Sequence, residues 1–177
     1  MRTPSSPDLV SMPVLVFGYG NPSRGDDALG VALIRRLGER QASGELRDVE
    51  LLTDFQLQPE HALDLARREL VILVDADASL GTTHRLEPLS TDQTASYTTH
   101  EMSPGALLWV YDRIGLGPPP PCYLLRIRGY HFDLGSPLSP AARHNLDLAE
   151  TCLLSRLAAQ PGPEAQVTPF APHTLPG

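Results

Sequence analysis

The sequence predicts an α/β fold in which a largely parallel sheet is flanked by helices. Short apolar runs at 13–18, 70–75 and 122–128 have the composition of buried strands. Between these runs, apolar residues recur at helical spacing, as at Leu29 and Leu33. Strands that alternate with helices favour parallel pairing through right-handed crossovers.

The elements follow one another in a regular order. A glycine-rich loop leads from the strand at 13–18 into a predicted helix. The run at 70–75 is the richest in β-branched and apolar residues, so we expect it at the centre of the sheet. The remaining predicted elements are a helix at 26–41, a strand at 48–53, a helix from Pro59 to Arg68, an extended segment at 83–88, a helix at 103–115 and a helix from Ser139–Pro140 to Ala159.

Composition limits the classes of function. The chain has 177 residues, 41% of them hydrophobic and 20% charged, which suits one globular domain. Its net charge of −7 argues against a nucleic-acid partner. Cys122 and Cys152 lie far apart and predict neither a disulfide framework nor a zinc site. Without a long apolar run or a signal peptide, we expect no membrane association and a cytoplasmic location.

The ends of the chain differ from its middle in composition. We expect residues 1–12 to be a disordered leader and residues 160–177 to be a proline-rich disordered tail. The single folded domain is therefore predicted to span 13–159.

The loop after the first strand is the most informative stretch. It reads Gly18-Tyr19-Gly20-Asn21-Pro22 and leads to the acidic pair Asp26-Asp27. A dinucleotide-binding loop needs a third glycine where Ser23 stands, and Pro22 stiffens the turn, so the sequence disfavours a nucleotide site.

Acidic and imidazole side chains follow two of the predicted strands. Asp26 and Asp27 come after the first strand, Asp75 ends the strand at 70–75, and His100 precedes the helix at 103–115. Ligands of open α/β sheets bind at the carboxyl ends of the strands, so these side chains predict a site for zinc, nickel, iron or manganese.

Structural roles for the same residues remain open. Asp26 and Asp27 could cap the first helix, Asp75 could end its strand in a turn, and His100 could be a loop or capping residue. The other histidines, including His61, are interpreted as surface or loop residues.

Three motifs together resemble the [NiFe] hydrogenase maturation proteases, the endopeptidases that remove a C-terminal extension from the hydrogenase large subunit. They are Gly18-Tyr19-Gly20-Asn21 followed after four residues by Asp26-Asp27, the strand end Leu73-Val74-Asp75-Ala76, and Thr99-His100 before a helix. The resemblance covers residues 13–157. It implies a three-layer sandwich with a twisted, mostly parallel five-stranded sheet between helices.

The resemblance also implies a mechanism of the aspartyl-type endopeptidase class. Asp27, Asp75 and His100 would bind nickel that the large-subunit precursor already carries, and the protein would hold no tight cofactor of its own. Either Asp26 or Asp27 would act as the general base, and a metal-polarised carbonyl or water would react. We expect Asp26 chiefly to cap the first helix and Asp27 to face Asp75 and His100.

The sequence departs from the family pattern in two places. Ala28 follows the acidic pair where many members have glycine, and Asp54-Phe55-Gln56-Leu57-Gln58 replaces a glycine-rich segment. The second departure resembles the branch that processes bidirectional, NAD-linked hydrogenases. We expect Phe55, Gln56 and His131 to shape the substrate cleft.

Two other functions fit parts of the sequence. A peptidyl-tRNA hydrolase shares the Gly18–Pro22 opening, but it needs a His-Asn pair where Asp26 and Asp27 stand. A non-catalytic chaperone for a nickel-loaded partner would use the same metal-binding residues without cleavage.

Overall fold

The structure, a computed structural model, describes residues 12–91 and 102–159. Apart from Met12, the predicted leader at 1–12 lies outside the described residues, and so does the whole tail at 160–177. His100 belongs to the segment 92–101, which also lies outside them.

The described residues form a five-stranded sheet with the order β2-β1-β3-β5-β4. Its first four strands in that order are parallel, and β4 pairs with β5 in the antiparallel sense. The apolar strand β3 lies at the centre, as its composition predicts. The strands are β1 (Val14–Tyr19), β2 (Val49–Asp54), β3 (Leu70–Asp77), β4 (His84–Pro88) and β5 (Cys122–Arg128).

Helices cover both faces of the sheet, so the predicted α/β sandwich is confirmed. The helices are α1 (Leu29–Ala42), α2 (Pro104–Arg113) and α3 (Pro140–Ala158), with 3-10 helices at Gly25–Ala28 and Pro59–Leu65. One apolar core lies between the sheet and α1 with α3, and a second lies between the sheet and α2 with the 3-10 helix at 59–65. None of the helices among the described residues is long and apolar enough to cross a membrane.

Two predicted helices differ from the structure. The helix predicted from Pro59 to Arg68 is a 3-10 helix that ends at Leu65, because Ala66 is extended and Arg67 has a φ of 60°. The helix predicted at 26–41 begins with a 3-10 turn, in which the Asp27 N–H donates to the carbonyl of Arg24 at 3.1 Å. Long-range contacts set both boundaries: the Glu69 N–H binds the carbonyl of Pro13, and the Asp26 N–H binds that of His131.

Candidate active site

A pocket of about 310 Å³ opens at the carboxyl edge of the sheet, beside the ends of β1 and β3. It brings together Asp27 and Asp75, two of the three predicted metal ligands, although they are far apart in the chain. The described residues that line it are Tyr19, Gly20, Asp27, Phe55, Gln56, Leu57, Asp75, Met102, Ser103 and Pro104.

The charge of this pocket favours a cation. Asp27 and Asp75 are acidic, and none of its described lining residues is basic. The described residues contain no group of three histidine, cysteine or acidic side chains able to hold a metal ion. The predicted third ligand, His100, lies outside the described residues, two positions before the lining residue Met102.

Glycines in the loop after β1 position Asp27. Gly20 has a φ of +134°, and a Cβ atom there would collide with the backbone carbonyl of Asp27. The next residue, Asn21, donates its backbone N–H to Asp27 Oδ2 at 2.8 Å. Gly18 and Gly30 likewise let β1 approach the start of α1, because a side chain at either would meet the other segment's backbone. The loop thus serves close packing and holds one carboxylate oxygen of Asp27.

Tyr19, for which the sequence alone predicts no role, contacts the second carboxylate, Asp75. Its hydroxyl donates to Asp75 Oδ2 at 3.0 Å, and its side chain lines the pocket. Alternate residues of a strand share a face, and Tyr19 continues the face of Leu15 and Phe17, as Asp75 continues that of Leu73. The alternation of residues along β1 and β3 is therefore the sequence signal from which the contact between Tyr19 and Asp75 could have been predicted.

Asp26 is an anchor between two loops and does not cap the first helix as we expected. Among the described residues, no side chain caps the N-terminus of the 3-10 turn or of α1. The Asp26 carboxylate is fully buried and accepts four hydrogen bonds: from the backbone N–H groups of Tyr130, His131 and Ser139, and from the Ser139 hydroxyl. Burial alone would raise the pKa of Asp26, but these bonds outweigh it and lower the pKa below its ordinary value of 3.8.

The anchor joins the acidic turn to the loop before α3. The Ser139 hydroxyl that binds Asp26 also accepts the Ala142 N–H, so it caps α3. Gly129 permits the close approach, because a Cβ atom there would lie 2.9 Å from the Cβ of Asp26. Asp26 therefore fixes the turn that carries Asp27.

One wall of the pocket is the segment Phe55–Leu57, and His61 supports it. The Asp54 carboxylate accepts the Phe55 N–H at 2.6 Å and lies 3.1 Å from His61 Nε2. His61 Nδ1 accepts the Gln58 N–H at 2.9 Å, so the proton of a neutral imidazole lies on Nε2, toward Asp54. Only 13% of the His61 side chain is exposed, so its interpretation as a surface or loop histidine misses this role.

The three residues expected to shape the substrate cleft separate in the structure. Phe55 and Gln56 line the pocket, and 62% of Phe55 is exposed. The exposed His131 does not line it; the backbone groups of His131 bind Asp26 instead.

A third carboxylate, Asp77, lies farther along β3 and is neutralised. Its Oδ2 atom is 3.0 Å from Arg126 Nη1, and its Oδ1 atom accepts both the N–H and the hydroxyl of Ser79. Burial opposes these interactions, but together they lower the pKa of Asp77 below its ordinary value. Asp77 is not among the described lining residues, so the charge that the described residues give the pocket comes from Asp27 and Asp75.

Comparison with known proteins gives a structural likeness. No protein-family model matches the chain, and no curated protein sequence matches it. The structure resembles the [NiFe] hydrogenase maturation protease HycI from Thermococcus kodakarensis with a TM-score of 0.62 at 19% identity, covering 85% of this chain and 95% of that chain. It resembles the hydrogenase maturating endopeptidase HybD from E. coli with a TM-score of 0.62 at 24% identity, covering 83% and 93%.

A hydrogenase 2 maturation peptidase from a Thaumarchaeota archaeon is similar as well. Its TM-score is 0.57 at 25% identity, and the match covers 83% of this chain and 99% of that chain. These likenesses show that the chain has the fold of the hydrogenase maturation endopeptidases over nearly their whole length.

Proposed function

We propose that this protein is an endopeptidase that removes a C-terminal extension from the large-subunit precursor of a [NiFe] hydrogenase. The observation that carries the proposal is the meeting of Asp27 and Asp75 in one acidic pocket at the carboxyl edge of the sheet. The fold shared with solved hydrogenase maturation endopeptidases supports it independently.

The precursor's nickel is the feature that the pocket would recognise. Two carboxylates and one imidazole form a donor set that suits nickel, and His100 would supply the imidazole. His100 precedes the pocket-lining residue Met102 by two positions in the sequence, which supports this assignment. Three protein ligands leave coordination positions for the precursor's own side chains, so the nickel arrives and leaves with the substrate.

The neighbouring residues Asp26 and Asp27 would have different roles. Asp27 faces the pocket, so it can bind nickel or accept a proton from the attacking water. Asp26 is fully buried and its carboxylate is engaged by four donors, so a structural role suits it better than that of general base. Nickel in the substrate would act as a Lewis acid near the scissile bond.

The wall formed by Phe55, Gln56 and Leu57 would select the precursor. The exposed phenyl ring of Phe55 and the half-buried Gln56 lie beside the two carboxylates, where the precursor segment next to the nickel would pass. The resemblance of this segment to the branch for bidirectional, NAD-linked hydrogenases makes their large subunit the precursor that we propose to test first.

One experiment separates the proposal from its alternatives. The full-length protein is incubated with a nickel-loaded large-subunit precursor, and the precursor's mass is followed by mass spectrometry. Release of one C-terminal peptide supports the endopeptidase. Stable association without release would replace it by the nickel-dependent chaperone, and hydrolysis of peptidyl-tRNA without precursor cleavage would replace it by the tRNA hydrolase.

A further inference from the structure

We propose that Tyr19 is a positioning residue that orients Asp75 for the substrate's nickel. The inference rests on the proposed function and gives a role to Tyr19, a residue of the Gly18-Tyr19-Gly20-Asn21 motif for which the sequence alone predicts none. The Tyr19 hydroxyl donates to Asp75 Oδ2 at 3.0 Å, at the point where both side chains reach the pocket.

The position of the Tyr19 ring is tightly fixed. Only 7% of the residue is exposed, and its ring packs edge-to-face against Phe17 with centroids 6.4 Å apart and an interplanar angle of 86°. The backbone on its C-terminal side is held as well, because the Gly20 N–H donates to the carbonyl of Asp54 at 3.1 Å. A hydroxyl on so rigid a ring holds its acceptor in a defined direction.

The hydrogen bond from the Tyr19 hydroxyl fixes the orientation of the Asp75 carboxylate. A hydroxyl donates one hydrogen bond, and an ionised carboxylate accepts at both oxygens. A bond at Oδ2 restricts rotation of the Asp75 carboxylate and so sets the direction in which Oδ1 points. Outer-shell hydrogen bonds of this kind orient metal ligands, and their loss typically weakens metal affinity by about 10–100-fold.

The same short segment holds the other pocket carboxylate. The Asn21 N–H donates to Asp27 Oδ2 at 2.8 Å, two residues after Tyr19. Segment 19–21 thus binds one oxygen of Asp27 through its backbone and one oxygen of Asp75 through a side chain. The contact from Asn21 is made by its backbone N–H, whereas the contact from Tyr19 is made by its side chain. Only the Tyr19 contact can therefore be removed by substituting the donor's side chain.

A purely structural role for Tyr19 would give a different result from a positioning role. Tyr19→Phe removes the hydroxyl and keeps the ring, so the core packing against Phe17 persists. Tyr111→Phe is the matched control, since Tyr111 is 2% exposed, packs in the same core and does not line the pocket.

The test compares the full-length wild type, both Tyr→Phe variants, Asp75→Asn and the double variant Tyr19→Phe/Asp75→Asn. Calorimetric titration with Ni²⁺ alone measures metal affinity, cleavage of the nickel-loaded precursor gives KM and kcat, and thermal melts report folding. We expect Tyr19→Phe to weaken Ni²⁺ binding by about 10–100-fold and to raise KM more than it lowers kcat, because a group that holds nickel throughout the reaction contributes uniform binding. Tyr111→Phe should match the wild type.

Each outcome is decisive. If Tyr19→Phe has wild-type Ni²⁺ affinity, or if it weakens Ni²⁺ binding equally in the Asp75→Asn background, Tyr19 does not act through Asp75 and the inference is overturned. If the wild type does not bind Ni²⁺ alone, KM for the nickel-loaded precursor is the readout, and a KM that Tyr19→Phe leaves unchanged overturns the inference. A wild type that binds Ni²⁺ but leaves the precursor intact refutes the proposed function, while the titrations still decide the role of Tyr19.

Discussion

Asp26 and Ser139 are joined by two hydrogen bonds across 113 positions of sequence, one from the Ser139 N–H at 2.7 Å and one from its hydroxyl at 2.8 Å. Both end on a carboxylate that is completely buried. The pair ties the turn that carries Asp27 to the first turn of α3. Asp26 therefore stabilises the candidate site by holding in place the turn that carries Asp27.

The first prediction concerns Asp26→Asn. An amide keeps one acceptor oxygen but turns an NH₂ group toward backbone donors, so we expect the free energy of unfolding to fall by about 3 kcal/mol at neutral pH. Urea unfolding measures the loss, and Asp133→Asn, an exposed change in the loop that Asp26 binds, should have little effect. Full stability of Asp26→Asn combined with complete loss of cleavage would instead identify Asp26 as the general base.

The second prediction concerns the pH dependence of the free energy of unfolding that Asp26→Asn loses. The pKa of Asp26 is lowered in the folded protein, so its contribution to stability is complete above the unfolded value near 3.8 and disappears as the pH falls through the folded pKa. The difference in unfolding free energy between the wild type and Asp26→Asn should therefore narrow as the pH is lowered below about 4. A difference that stays constant through this range would contradict a lowered pKa.

The third prediction concerns the proposed nickel ligands. Asp27→Ala, Asp75→Ala and His100→Ala should each reduce precursor cleavage by more than about 100-fold, beyond the loss typical of an outer-shell partner. Thermal melts should show that the variants remain folded. Asp112→Ala, an exposed change on α2, is the control. Full activity of all three variants would mean that the metal ligands lie elsewhere.

The fourth prediction compares two glycines. Gly20→Ala should lower both stability and cleavage, because its Cβ would strike the carbonyl of Asp27 and its φ of +134° disfavours a side chain. Gly38→Ala is the control: no described residue lies within 4 Å of its added Cβ, and alanine in helix α1 should stabilise the protein by up to about 1 kcal/mol. Wild-type activity of Gly20→Ala would show that Asp27 tolerates displacement.

The fifth prediction tests the wall at 55–57. His61→Ala should raise KM for the precursor with little change in kcat, because it removes the support of Asp54 and Gln58 without touching the carboxylates of the pocket. Phe55→Ala should act in the same direction. Replacement of the exposed His144 on α3 should leave KM unchanged, and so should His131→Ala. A larger effect from His131→Ala than from Phe55→Ala would place the substrate on the opposite side of the acidic turn.

The sequence was sufficient for the fold because apolar runs and helical spacing are local signals. The same local signals placed Asp27 and Asp75 at one sheet edge, since Asp27 follows β1 and Asp75 lies near the end of β3, which runs to Asp77 and does not end at Asp75 as predicted. They could not reveal that Asp26 binds Ser139, because such a contact depends on the docking of distant loops. They also missed His61, which accepts the Gln58 N–H in a capping box at the start of the 3-10 helix and lies 3.1 Å from Asp54 at the end of β2.

Recognition of nickel by the pocket is tested by comparing two forms of one precursor. Full-length protein is mixed with the nickel-loaded and with the nickel-free large-subunit precursor, and intact masses are recorded over time. We expect loss of one C-terminal peptide from the nickel-loaded form only, and no loss from either form with Asp75→Ala. Equal cleavage of both forms, or cleavage by Asp75→Ala at the wild-type rate, would contradict recognition of nickel by this pocket.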